Sequence, residues 1–308
     1  MGTPDFAVPT LRALLELTQL SVVAVVTQPD RPVGRKQILT PPPIKVLAQD
    51  NSITVLQPEK LRDQSTVEQI KNLSPELIVV AAYGQIIPKA ILEMPKFGAI
   101  NVHASLLPKY RGASPIQAVI AAGERETGVT IMLMDELLDH GPILSQGSIK
   151  IDSDETGGSL FEKLSTLGAE LLASTTLEWI AGRIETKEQA HTQATSTKLL
   201  KRDSGKIDWH QSAESIERMV RAYNPWPGTW TTWQHGDKPL RISIVRASGC
   251  ESRTSNPDGT VFKTDRGFAV QCGIGALEIL ELQLEGKRAM NAQDFLKGHP
   301  AIVDTMLK

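Results

Sequence analysis

Four apolar runs, Leu20 to Thr27, Ile53 to Leu56, Leu77 to Tyr83 and Ala99 to His103, alternate with segments of helical spacing near 6–17 and 44–51. Such alternation predicts an α/β fold built on an open, mostly parallel sheet with helices on both faces. Between Gln28 and Pro43 the pattern stops. Three consecutive prolines, Pro41 to Pro43, and the basic residues Arg31, Arg35 and Lys36 predict a loop there and no regular element. Gly128 to Met134 reads as a further strand. The spacing of Leu160, Leu164, Leu167, Leu171 and Leu172 predicts a helix over 157–180 that closes the first domain.

The second half reads differently. Residues 182–200 are polar and Thr-rich, which suits a linker. A helix is expected around Ser212 to Ala222, and short strands at hairpin spacing (229–234, 240–247, 259–264, 268–272 and 276–283) predict a small barrel. The expected organisation is therefore a first domain over 1–181, a linker over 182–200 and a barrel domain over 201–308.

With 308 residues, 41% of them apolar, the chain can bury two moderate cores. A net charge of -2 excludes a strongly basic nucleic-acid binder. The balance is uneven: residues 1–200 carry 18 basic and 22 acidic side chains, the remainder 15 and 13. Only the local cluster Lys198, Lys201, Arg202 and Lys206 stands out from a solvated surface. Two cysteines, Cys250 and Cys272, lack the number and spacing for a disulfide framework or metal site, and six scattered histidines show no zinc-type spacing, so no metal is expected. The longest apolar stretch, Leu77 to Ala82, is too short to cross a bilayer, and no signal segment opens the chain. A cytoplasmic protein without membrane contact is expected.

Chemistry concentrates at strand ends. Asn101 and His103 lie two residues apart at the end of an apolar run, so their side chains share one face where open α/β sheets bind ligands. The strand Gly128 to Met134 runs into Asp135-Glu136-Leu137-Leu138-Asp139-His140-Gly141, a loop that supplies a carboxylate. Plainer readings stand beside this one: Asn101 as a turn cap, His103 as a satisfied structural residue, Asp139 as a turn residue.

These elements, with Gly2-Thr3-Pro4-Asp5-Phe6, Thr27-Gln28-Pro29-Asp30-Arg31-Pro32, Ala82-Tyr83-Gly84 and Asn224-Pro225-Trp226-Pro227, resemble the folate-dependent formyltransferases over nearly the whole chain. Within that family the resemblance is to enzymes acting on initiator methionyl-tRNA. It implies a Rossmann-like first domain, an OB-like barrel after it, and 10-formyltetrahydrofolate as co-substrate. Transfer of the formyl group to an amine passes through a tetrahedral centre with negative charge on oxygen. Asn101 and His103 are donors suited to it, and His103 could also relay protons. Asp139 would hold the imidazole, favour its cationic form or pass the amine's proton through water towards N10; the sequence does not divide these roles. Ala82, Tyr83, Gly84 and Ile87 belong by resemblance to the pterin slot, and Ser105, Leu106, Leu107 and Pro108 to the folate-binding loop. Arg111 reads as an anchor of that loop.

RNA recognition is expected to be shared between the Gln28–Pro43 segment, through Arg35 and Lys36, and the cluster Lys198, Lys201, Arg202 and Lys206. Trp226, Trp230 and Trp233 are expected to pack rather than stack on bases. A monomer is expected. The resemblance also implies a strand ahead of Gly2, whereas this chain starts at Met1. A start codon further upstream is the expected explanation, and otherwise an interior strand is missing and leaves its two neighbours with unpaired backbone groups. Alternatives are formylation of a small amine such as an amino sugar nucleotide, hydrolysis or oxidation of the formyl folate, and an inactive RNA-binding relative. No Gly-x-Gly-x-x-Gly turn follows a strand, which argues against an NAD-dependent oxidoreductase.

Overall fold

Residues 1–34, 36–251 and 256–308 are described by a computed structural model of the protein. Two units are distinguished: Met1–Pro115 with Glu126–Lys150 and Phe161–Thr197, and Ile116–Arg125 with Ile151–Leu160 and Lys198–Lys308. In the first unit the strands are β1 (Ala24–Val26), β2 (Arg31–Val33), β3 (Ile38–Thr40), β4 (Thr54–Leu56), β5 (Ile78–Val80), β6 (Ala99–His103), β7 (Arg111–Gly112), β8 (Glu126–Leu133), β9 (Ile143–Lys150) and β10 (Ser196–Thr197). Each apolar run of the N-terminal half supplies one strand, and the helices Ala7–Glu16 and Pro43–Asp50 lie at the predicted places.

The sheet order around the site is β5-β6-β8-β9. β6 is buried along nearly its whole length, as a strand paired on both edges must be; it runs parallel to β5 and antiparallel to β8. β9 alternates between half-buried and exposed positions after its first two residues, the pattern of an edge strand with one wet face. Because β8 pairs antiparallel with both β6 and β9, the unit is mixed α/β rather than mostly parallel. The expectation of parallel pairing failed because β6 and β8 are joined by a helix-containing crossover, and a crossover does not by itself fix strand direction.

A second correction concerns residues 28–43. β2 and β3 form an antiparallel hairpin, Arg31 opposite Thr40 and Val33 opposite Ile38, and Pro43 already opens a helix. All six strand residues are exposed, so no buried face imprints an alternating pattern on the sequence. Arg35 lies outside the described residues.

The helix Gly157–Ile180 matches its predicted bounds. Thr156 and Ser159 cap its start reciprocally, Ser159 N–H donating to Thr156 Oγ1 at 3.1 Å and Thr156 N–H to Ser159 Oγ at 3.0 Å. Beyond its end, Gly182 adopts φ +68°, the left-handed turn that stops helices.

In the second unit, β11 (Thr229–His235), β12 (Lys238–Cys250), β13 (Val261–Thr264), β14 (Gly267–Gln271), β15 (Ala276–Leu284) and β16 (Met290–Asn291) form an antiparallel half-barrel of order β11-β12-β15-β14-β13, with β16 on β15. Trp233, Phe268, Ile279, Leu282 and Phe295 fill its core. The helix Ala213–Ala222 starts from Ser212, whose side chain accepts from Ser215 N–H.

Met1 and Gly2 connect the two parts of the first unit's sheet. Gly2 N–H donates to Val26 O at 3.0 Å, Ala81 N–H donates to Met1 O at 2.9 Å, and the Met1 ammonium donates to Val79 O at 2.6 Å. Gly2 is required by space, since a Cβ there would lie 2.9 Å from the Ala81 carbonyl oxygen. Next to Met1, a cavity of about 470 Å³ is lined by Val22 to Val26 on one side and Leu77 to Val79 on the other.

Burial in this slot lowers the Met1 ammonium from 8.0 to about 5. The unfolded chain therefore binds more protons between pH 5 and 8, so stability is fully present above pH 8 and is lost as pH falls towards 5, by up to about 4 kcal/mol. The protein is expected to melt higher at pH 8 than at pH 5, and a melting temperature that does not rise across that range would refute this account.

Candidate active site

β6 delivers Asn101 and His103 to one face, two residues apart, and the turn after β8 brings Asp139 to meet them. Asn101 Nδ2 lies 3.4 Å from Asp139 Oδ1, and His103 Nδ1 lies 3.5 Å from Asp139 Oδ2. The His103 and Asp139 side chains are only 6% and 10% exposed, so they interact in a medium of low polarity. Asp139 adopts φ +49°, unusual for a residue with a side chain.

The environment of the imidazole assigns its tautomer. His103 Nε2 is 3.0 Å from the Tyr110 carbonyl oxygen, which can only accept, so Nε2 carries a proton. When the ring is neutral, Nδ1 presents a lone pair to the carboxylate across 3.5 Å. Two acceptors then face one gap, and a donor placed between them can bond to both. The same carboxylate oxygen, Oδ2, also accepts from Gly112 N–H at 2.7 Å. Gly112 has φ +102°, and a Cβ would come within 2.6 Å of the Thr197 carbonyl oxygen, so only glycine brings its amide here.

The segment Ser105–Pro108 is pinned from below. Thr130 on β8 donates to Ser105 O at 2.7 Å and accepts from Leu107 N–H at 3.1 Å. Gln146, opposite Thr130 on β9, donates to Thr130 Oγ1 and Leu107 O, both at 2.9 Å. Ser105 Oγ is committed to Lys109 O at 2.6 Å, and Leu107 is buried while Leu106 is half-buried. Among the residues expected to line the pterin slot, Tyr83 and Ile87 are buried in a cluster with Val26 and Leu61. The Tyr83 carbonyl accepts from Thr3 Oγ1 at 2.8 Å, and burial pushes its phenol up to about 12. Ala82 and Gly84 both take positive φ, which turns the chain sharply at the end of β5.

Lys36 is exposed on the hairpin. In the second unit Lys198, Lys201, Arg202 and Lys206 are all exposed, around a short 3-10 turn at Arg202–Gly205. Of the tryptophans, Trp233 is buried against Phe295, Trp230 lies under the Arg241 guanidinium at 4.1 Å, and Trp226 is exposed.

Several residues of the site carried no local signal. Thr130 was visible as a lone hydroxyl in the run Gly128 to Met134 and could have been suspected. Gln146, Gln189 and Gly112 act through partners distant in sequence. Among the described residues no group of three or more His, Cys, Asp or Glu side chains is placed to hold a metal ion, and no helix is long and apolar enough to cross a membrane.

A strand-end amide, imidazole and carboxylate on a mixed α/β unit, followed by an antiparallel half-barrel, define a group-transfer enzyme of the formyltransferase type. Residues 1–176 match the Formyl transferase family and residues 199–300 the Formyl transferase, C-terminal domain family, so the chain belongs to the formyl transferases. It is 48% identical to the methionyl-tRNA formyltransferase of Citrifermentans bemidjiense, over 97% of this chain and 92% of that one. With the methionyl-tRNA formyltransferase of Halalkalibacterium halodurans it shares 49% identity, over 97% and 93%. Among solved structures, WlaRD, a sugar 3N-formyl transferase, superposes with TM-score 0.64 at 19% identity, over 93% of this chain and 97% of that one. HypX from Aquifex aeolicus in complex with tetrahydrofolic acid gives TM-score 0.58 at 16% identity, over 90% and 47%. At these identities the two structures report the fold alone.

Thr130→Val removes a hydroxyl that serves two buried backbone groups, Ser105 O and Leu107 N–H, each left unsatisfied at roughly 1–3 kcal/mol. The variant is expected to melt several degrees lower, and Thr130→Ser to recover most of the loss. Thermal melts of the two variants check this; an unchanged melting temperature for Thr130→Val would show that the loop is held otherwise.

Proposed function

We propose that this protein transfers the formyl group of 10-formyltetrahydrofolate to the amino group of methionyl initiator tRNA, for translation initiation. The observation that carries the reading is the set of methionyl-tRNA formyltransferases matched at 48% and 49% identity over more than nine-tenths of both chains. The convergence of Asn101, His103 and Asp139 supports it independently.

In this reading the attacking amine binds beside His103 Nδ1 and Asp139 Oδ2, donating one N–H to each. Its nitrogen bonds to the formyl carbon, the carbonyl oxygen becomes an oxyanion, and Asn101 Nδ2 donates to that charge, as His103 does when protonated. The C–N10 bond then breaks, and the proton lost by the amine passes by way of Asp139 or His103 to N10. Tetrahydrofolate and a formylated methionyl-tRNA result, with no change of oxidation state. Ala82, Tyr83, Gly84 and Ile87, with Ser105, Leu106, Leu107 and Pro108, form the folate side of the site, largely through their backbone.

The proposal extends to organisation. Residues 1–181 form a Rossmann-like catalytic domain, 182–200 the linker, and 201–308 an OB-like barrel that holds RNA. Arg35 and Lys36 probe the acceptor end of the tRNA, while Lys198, Lys201, Arg202 and Lys206 neutralise backbone phosphates, so binding weakens steeply with salt. The exposed apolar side chains Val33, Ile38 and Leu39 on the hairpin support a contact surface there. The enzyme acts as a cytoplasmic monomer.

The test offers 10-formyltetrahydrofolate with methionyl initiator tRNA, methionyl elongator tRNA or an amino sugar nucleotide. Product on the initiator tRNA is expected, and product on the sugar alone would end the reading. Asn101→Ala should lower turnover by roughly 10²–10³ while tRNA binding stays near normal; undiminished turnover would remove Asn101 from the mechanism.

A further inference from the structure

The stretch that reads as a linker is in part a strap across the site. Lys187 bridges Ile143 at the start of β9, and Ser196 and Thr197, forming β10, pair in parallel with Arg111 and Gly112. Between these two anchors lies Gln189, 4% exposed. Its Nε2 donates to Asp139 O at 3.0 Å and to Gly141 O at 2.7 Å. Its Oε1 accepts from Arg111 Nη2 at 2.6 Å and Arg111 Nε at 3.2 Å. Both donors and both acceptor positions of the amide are thereby used.

We infer that Gln189 is a positioning residue for the reaction, fixing the Asp139 carboxylate against its Gly112 donor and His103. The inference rests on the catalytic reading of Asp139 given above. Asp139 has φ +49°, so its backbone needs an outside restraint to stay there. Gln189 supplies one on the Asp139 carbonyl, while β10 fixes Gly112, whose N–H holds the carboxylate at 2.7 Å. One short segment thus sets both ends of the Asp139–Gly112 contact. A glutamine suits the task because a single planar amide presents two donors to the loop and its oxygen to Arg111, all without net charge next to a carboxylate. Arg111 is held in turn by His191 of the same strap, whose Nδ1 lies 2.9 Å from Arg111 Nη2 and whose ring stacks on His140 at 4.1 Å.

Two variants separate the parts of this arrangement. Gln189→Leu keeps most of the volume and loses every bond. Gln189→Glu, ionised, keeps the acceptor for Arg111, loses both donors and sets a like charge near Asp139. Both are expected to lower kcat by about 10- to 100-fold, the scale of small misplacements of catalytic groups and of their supporting bonds. KM for 10-formyltetrahydrofolate and for methionyl-tRNA should stay within about threefold. Combined with Asp139→Asn, Gln189→Leu should add almost nothing, because the group it positions is already disabled. A purely structural glutamine would instead lower the melting temperature, leave kcat per folded molecule unchanged and add in full to the Asp139→Asn loss. If Gln189→Leu folds poorly, Gln189→Glu carries the kinetic comparison.

A kcat within twofold of the parent in a folded Gln189 variant, with turnover abolished by Asp139→Asn, overturns the assignment and spares the catalytic reading. Full turnover by Asp139→Asn overturns both.

Discussion

The site depends on one carboxylate being kept in place while nearly excluded from water. Asp139 is seated by an amide from a glycine 27 residues earlier, faced by an imidazole and a carboxamide from β6, and restrained through its own carbonyl. Burying such a charge without partners is costly, and its partners here arrive from two strands, β6 and β7. The mixed sheet is what makes the meeting possible. β6 carries Asn101 and His103 on one face, and β8, lying antiparallel beside it, runs out into the loop that returns Asp139 to the same region.

Much of the fold was legible. Ala99–His103 and Gly157–Ile180 could be read to the residue, because a doubly paired strand and a helix packed along one side imprint strong apolar patterns. The hairpin Arg31–Thr40 could not: with every strand residue exposed, its sequence records turn chemistry and prolines and no buried face. Strand direction was equally hidden. Gly128 to Met134 announces a buried strand, yet nothing within it says that it runs against β6.

The catalytic candidates stood out because chemistry and local spacing coincide at Asn101 and His103, and because the resemblance singled out Asp139. Their supports did not, for a physical reason. Gln189 lies 50 residues from the carbonyl it holds and Gln146 39 residues from Leu107, so neither leaves a periodic trace. A polar residue in a polar stretch gives no sign of being buried. Gln189 sits in such a stretch, between Glu188 and Ala190, and only the three-dimensional arrangement shows that it is enclosed.

The opposing acceptors at the centre give this arrangement its direction. Tyr110 fixes the proton on Nε2, so the neutral ring turns a lone pair towards a carboxylate that already faces it. In the proposed reaction an amine beside this pair, donating one N–H to each, satisfies both acceptors at once. In that reaction the same two contacts would leave the amine's lone pair free for the acyl carbon. Removing the Nε2 restraint would let the ring flip and donate to Asp139, closing the gap and relieving the repulsion. The Tyr110 carbonyl thus does more than satisfy a ring nitrogen, since it keeps the imidazole and the carboxylate from satisfying each other.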